Sequence, residues 1–297
     1  MEYCGSKVWT FELLDWINIE KIDWRELSGN PNAIHLLEEN KDKINWEELS
    51  RIPNAIHLLE KNSENIDWRE LCMNVNGVHR VIKNPERINW KSMSGNPSAI
   101  EFLQENIEKI NWEWLSSNKN AIHLLEQNQD KIDWMTLSSN PNAIELLEKN
   151  QDKIDWEILS QNPNAIQLLE KNQEKICWYF LSGNPSAIDL LEKNPSKIDW
   201  GYLSGNRNAI DLLEKNPSKI DWGYLSLNRN AMRLLEKNPE KIDWRLLSFN
   251  SSIFTKKMNY EYLYQRMNVI REELMMKCMH PSRLERWIEM GGDVDDF

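Results

Sequence analysis

Cysteine is scarce: 4 of 297 residues, at positions 4, 72, 177 and 278, with no paired spacing. That excludes a disulfide framework and points to a reducing compartment. Basic residues are in deficit, with 36 Lys and Arg against 47 Asp and Glu, a net charge of −11 and a pI near 5.1. A phosphate-backbone partner normally leaves a basic footprint, so direct nucleic-acid binding is not expected. Long apolar runs are absent, as is a charged-then-apolar leader, which argues against membrane spanning and secretion. There is no glycine-rich phosphate loop, metalloprotease His pair or nucleophile elbow, so neither catalysis nor a cofactor is expected.

What the chain has instead is tryptophan, 15 in all, and period. Tryptophan recurs every 22 residues at 24, 46, 68, 90, 112, 134, 156, 178, 200, 222 and 244, each preceded two residues earlier by isoleucine, from Ile22 to Ile242. A fixed period of this size is the mark of a repeat array, whose linear core overrides the two-domain expectation that length alone would give.

Each unit reads as two short helices. In the first, Asp23 is an N-cap, Trp24, Leu27 and Ser28 share a face, and Asp23 with Glu26 has the spacing of a capping box. Asn30 is expected to cap a second helix opening on Pro31, with Ala33, Ile34, Leu36 and Leu37 on its apolar face and an end in left-handed conformation at Asn40. A leucine-rich β-solenoid would need strand alternation, whereas Trp24 to Ser28 steps by three and four. Such short helices do not persist alone, so stacking must hold them. The expected fold is all-α: a solenoid of about eleven two-helix repeats, forming a rod or arc roughly 90–100 Å long at helix spacings of about 8–10 Å, with the tryptophans in its core.

The expected organisation is an N-terminal helical cap over residues 1–20, repeats over 21–250 and a C-terminal helical cap over 251–297. Trp9, Leu13, Leu14 and Trp16 would form a leading helix covering the first repeat. After Trp244 the second half of the unit fails, and Met258 to Met279 and Pro281 to Met290 have helical spacing. The third unit is the least regular, with Val75, Gly77 and Arg80 in place of Pro, Ala and Leu, so a hinge would fall near residues 72–82.

Segments of the form Lys-Ile-Asp-Trp-x-x-Leu-Ser-x-Asn-Pro-Asn-Ala-Ile-x-Leu-Leu-Glu, as in Lys131 to Glu148, resemble tandem repeats in proteins of giant nucleocytoplasmic DNA viruses of amoebae. The resemblance spans roughly residues 20 to 250. His280 to Trp287 is also similar to the tails of such proteins, and Arg286 to Val294 is weakly similar to part of an ankyrin repeat. It implies a viral source and a place in the cytoplasm of the infected host cell or in the virion, and carries no activity with it.

His35, His57, His79 and His123 share one register position, opposite the apolar face of the second helix, and read as solvated surface. Cys278 with His280 lacks further ligands, and Asp293, Asp295 and Asp296 lack a calcium-binding loop, so no metal site is expected. The partner-binding candidates lie two residues after the periodic tryptophans. There Glu26, Glu48, Glu70 and Ser92 give way to Trp114, Thr136, Ile158, Phe180, Tyr202, Tyr224 and Leu246. Aromatic residues dominate binding hot spots, so Trp114, Ile158, Phe180, Tyr202, Tyr224 and Leu246 are expected to grip a protein partner, host or viral, or a second copy of the chain. The function expected is a non-catalytic interaction scaffold or adaptor, with a structural component of a virus particle as the alternative.

Overall fold

The structure, a computed structural model, describes residues 9–278 together with His280, Arg283 and Arg286. The aspartates at 293, 295 and 296, Cys4 and most of Pro281 to Met290 lie outside the described residues. The chain divides into two compact units, 14–254 and a smaller one made of the chain before and after it.

The larger unit is the helical repeat solenoid expected. Among the described residues, eleven A helices begin at the periodic tryptophans, from Trp24–Ser28 to Trp244–Phe249, and ten B helices begin at the Ile34 position, from Ile34–Glu39 to Met232–Glu236. A short 3-10 turn such as Lys41–Lys43 joins each B helix to the next A helix. Ile22 and Leu27 are buried together at the first A helix, as the staple spacing requires.

Three local expectations are corrected. Only half of each capping box forms: the Asp23 carboxylate accepts from the backbone N–H groups of Arg25 and Glu26, while its own N–H donates to a serine of another unit. Helix B starts at Ile34 rather than Pro31: Asn30 Oδ1 does accept from Asn32 N–H, but Ala33 N–H returns to the Asn30 carbonyl and closes a turn before the helix begins. Asn40, at φ −128°, is not left-handed; it ends the helix by donating its side-chain amide to the Leu36 carbonyl.

The units are joined by buried polar groups. Ser138 Oγ donates to the Trp134 carbonyl at 2.8 Å and accepts from the N–H of Asp155, the next unit's N-cap, at 3.1 Å. Asn162 Nδ2 donates to the carbonyls of Ser138 and Asn140 in the preceding unit, and its Oδ1 accepts from Asn164 N–H. Ser138 is fully buried and Asn162 is 1% exposed, so each satisfied bond avoids the penalty of an orphaned buried dipole. Cys72 takes the serine's place once, with Asn89 N–H 3.3 Å from its sulfur, and Ile52 replaces the asparagine once.

The same bonds run from the last unit to the first. Asp23 N–H donates to Ser248 Oγ at 2.9 Å, Asn30 Nδ2 reaches the carbonyls of Ser248 and Asn250, and Asn32 Nδ2 reaches that of Ser251. Helix Trp24–Ser28 packs on helix Trp244–Phe249 as other successive A helices pack on one another. The Arg245 guanidinium pairs with Glu26 at 3.1 Å. The array is therefore a closed ring rather than an open rod or arc. Eleven A helices spaced at about 8–10 Å put the circle through their axes at roughly 28–35 Å across.

Closure makes the eleventh unit composite. Asn250 to Ile253 follow the usual turn, but no B helix comes after; instead Leu14 N–H bonds the Ile253 carbonyl at 2.9 Å and Ile17 is buried, leading into the ordinary 3-10 turn at Ile19–Lys21. The expected leading helix is instead a strand, β1 (Trp9–Leu13), which pairs with β2 (Phe254–Met258). The first repeat's open side is covered by the last repeat.

The tryptophan column is half-buried rather than core. Leucine holds the fully buried places, as at Leu27, Leu37, Leu137 and Leu147. Most of these indoles instead offer a face to a cation of the following unit: Lys43 lies 4.2 Å from the Trp24 ring centroid, Lys175 4.3 Å from Trp156, and, across the closing seam, Lys21 5.1 Å from Trp244, whereas Asn65 stands at the equivalent place for Trp46.

The irregular third unit keeps the pattern. Asn96 Nδ2 bonds the Cys72 and Asn74 carbonyls, so the inter-unit bonds show no break at 72–82. Gly77 replaces alanine because a Cβ there would sit 2.7 Å from Leu71 Cδ1 and 2.8 Å from its carbonyl oxygen.

Ring closure predicts that Asn30→Ala and Asn162→Ala cost alike, about 2–3 kcal/mol each by thermal or urea unfolding, since each leaves buried carbonyls unpaired. In an open array Asn30 would face no preceding unit, and its substitution would be nearly silent.

Candidate functional site

The A helices present two neighbouring positions that matter. The residue after each tryptophan is the outward one: Arg25, Glu47, Arg69, Lys91, Glu113, Met135, Glu157, Tyr179 and Arg245 are exposed. The next position, expected to be outermost, lies instead at the seam with the preceding A helix. Trp114, Ile158, Phe180, Tyr202 and Leu246 are half-buried, and Tyr224 is 41% exposed. The reason is side-by-side helix packing, which turns this position toward its neighbour. A Cβ added at Gly95 would meet Trp114 at 3.0 Å, and one at Gly183 would meet Tyr202 at 3.3 Å.

The seam position changes chemistry around the circle. Glu26 pairs with Arg245, Glu48 with Arg51 at 2.6 Å, and Ser92 is buried. Desolvation pushes the Glu70 carboxyl above its ordinary value despite the nearby Arg51. Trp114 then lies under Lys91, 5.5 Å from the ring centroid. Thr136 and Ile158 interrupt the aromatic series, which resumes at Phe180.

From Phe180 onward the rings form one cluster. Centroid separations are 5.7 Å for Phe180–Tyr202 and 5.5 Å for Tyr202–Tyr224, and Tyr179 lies 5.1 Å from Phe180 and 4.0 Å from Tyr202. Gly201 and Gly223 occupy the outward position here, so Tyr202 and Tyr224 have no large side chain of their own helix standing over them. Thus Phe180, Tyr202 and Tyr224 come together; Ile158 and Leu246 hold the same register one unit before Phe180 and one unit after Tyr224, and Trp114 stands three units before Phe180.

Tyr179, 47% exposed, is the residue that period-based reasoning missed. It substitutes for a charge at the outward position, and that substitution was the available signal. A side-chain hydrogen bond with Tyr202, then desolvation, pushes its phenol up to about 12 from an ordinary 10.0. Met135, at 60%, departs from the charged pattern in the same way.

The histidine register is exposed surface on the B helices. His57 Nε2 lies 2.9 Å from Glu38, His35 is 3.5 Å from Glu39, and His123 contacts Gln127 at 3.0 Å. Among the described residues no group of three or more His, Cys, Asp and Glu could hold a metal ion. Burial pushes the Cys72 thiol above its ordinary value, which suits a packed serine substitute and not a nucleophile. Among the described residues, no helix is long and apolar enough to cross a membrane.

No family model, characterised protein or solved structure matches the chain.

Two outcomes are expected. In a spectrophotometric titration the Tyr179 phenol should remain protonated well above 10.0, and Tyr202→Phe should bring it back toward 10.0. Because the folded state raises this pKa, its contribution to stability is present below pH 10 and is lost as pH rises toward about 12. A chelator should leave the melting temperature unchanged, since metal that held the fold would contribute its binding energy to stability.

Proposed function

We propose that the chain is a non-catalytic protein-interaction scaffold, a ring that presents the aromatic cluster of Tyr179, Phe180, Tyr202 and Tyr224 to a protein partner. The observation that carries this is the cluster itself: four contiguous rings on the A helices, two of them more than two-fifths exposed, where the equivalent places in early units hold charges. Aromatic side chains bring large contact area at low entropic cost, and clustered rings with exposed edges are what binding hot spots are made of. Trp114, Ile158 and Leu246 would extend the contact along the same register.

The resemblance of the repeats to those of giant DNA viruses supports a viral origin, with the partner a host or viral protein of the infected cell. The acidic balance favours a protein over nucleic acid.

The test is quantitative affinity capture from infected cells with the wild-type chain and with Tyr179→Ser/Tyr224→Ser. The variant is melted alongside the wild type, so that a loss of capture is separated from the stability lost with the bond between Tyr179 and Tyr202. A partner retained in stoichiometric amount by the wild type should be lost or weakened about tenfold or more by the variant. An unchanged captured set would reject the cluster as the binding surface. Finding the protein stoichiometric in purified particles, with nothing captured through the rings, would favour a structural role.

A further inference from the structure

The smaller unit holds a helix that the ring repeats do not explain. Tyr260–Cys278 is 19 residues long, about 28 Å, and Asn259 caps it by accepting from Tyr262 N–H at 3.0 Å. Its large apolar side chains are uncovered: Tyr260 is 74% exposed, Met267 69%, Ile270 45% and Leu274 55%. With half-buried Leu263 they fall at steps of three, four, three and four, the spacing of a coiled-coil seam.

We infer that this helix pairs with the same helix of a second copy of the chain, antiparallel, about a centre between Met267 and Ile270. The charges beside the seam choose both occupant and direction. With Tyr260, Met267 and Leu274 at a and Leu263 and Ile270 at d, Arg266 and Glu273 occupy g while Tyr264 and Arg271 occupy e. In an antiparallel pair g faces g and e faces e, so Arg266 meets Glu273 of the second copy, and Tyr264 offers its ring to Arg271. Two-fold symmetry makes each contact twice. The apolar layers fall in step: Met267 opposite Ile270, and Leu263 opposite Leu274. A parallel pair would set Arg266 against Arg271, a like-charge contact at both flanks. A membrane surface is the other class of cover for such a face. The helix carries Glu261, Glu272 and Glu273 against Arg266, Arg271 and Lys277, with none of the basic excess that anionic lipid selects.

The experiment is sedimentation of the full chain over the micromolar range. The wild type should be a reversible dimer, and Met267→Glu/Ile270→Glu a monomer with unchanged helical content and melting temperature. Arg266→Glu alone and Glu273→Arg alone should each weaken dimerisation about tenfold, and the double reversal should restore it, because only then are the g positions complementary again. A wild-type monomer, a dimer that survives the Met267 and Ile270 substitutions, or a double reversal no better than either single one would each overturn the proposal. So would binding to phosphatidylserine vesicles abolished by Met267→Glu/Ile270→Glu. None of these outcomes depends on the aromatic cluster of the ring, so this inference and the proposed function fail separately.

Discussion

One buried side chain per unit, a serine everywhere but Cys72, sets the geometry of the ring. Each serine, at the end of its A helix, donates back to the tryptophan carbonyl four residues earlier and accepts from the first N–H of the next unit. The first bond aims the oxygen, and the second fixes the next helix against it. Because the acceptor sits on a helix and the donor is that of an N-cap, the bond specifies orientation as well as distance. Eleven such contacts of nearly constant length, from 2.9 to 3.1 Å apart from 3.3 Å at Cys72, turn each unit by a similar amount, so the small rotation adds up to a circle. The leucines supply burial and the asparagines pair the loop carbonyls, yet neither alone dictates direction in this way.

This also shows where the sequence was legible. Period, helix starts and the A and B division follow from spacing and capping, which are local. Closure does not. Nothing in Asn30 distinguishes it from Asn162, since both see the same carbonyls, one pair 22 to 24 residues back and the other 218 to 220 residues ahead. The signal was the pair of half-units at the ends, Asn18 to Ile22 opening in mid-repeat and Asn250 to Ile253 stopping in mid-repeat. Each looks like decay by itself, and they complete one unit only when placed together. The leading strand was misread as a helix for a related reason: its apolar residues answer to a distant partner in β2, not to their own turn.

The tryptophans and the candidate site were misplaced by the same geometry. An array of short helices packed side by side has little interior, so the fully buried positions go to leucine and the larger indole stays at the boundary, its face closed by a lysine stem. The position two residues on is likewise a boundary, where a glutamate can reach an arginine and a tyrosine can stack on a tyrosine. Sequence correctly located the change from charge to aromatic around the circle. It could not show that the outward neighbour, Tyr179, completes the cluster, because that depends on which way the helix is rolled.

Closure has a kinetic side as well. Contacts within the array join residues 17 to 24 apart, while the closing bonds join residues 218 to 225 apart. For a flexible chain the longer loop costs only about 2 kcal/mol more, since the penalty grows with the logarithm of length. That is comparable to the hydrogen bonds at one seam, so an unformed array would gain little by closing first. Once the intervening units have stacked, their fixed rotation brings Trp24–Ser28 and Trp244–Phe249 together without a further search, and the closing contacts add to a loop already paid for in the stacking. The order that follows is local stacking first and closure last. The seam at Ser248 and Asn30 is then the last to form, although in the folded ring it is chemically the same as the seams between interior units.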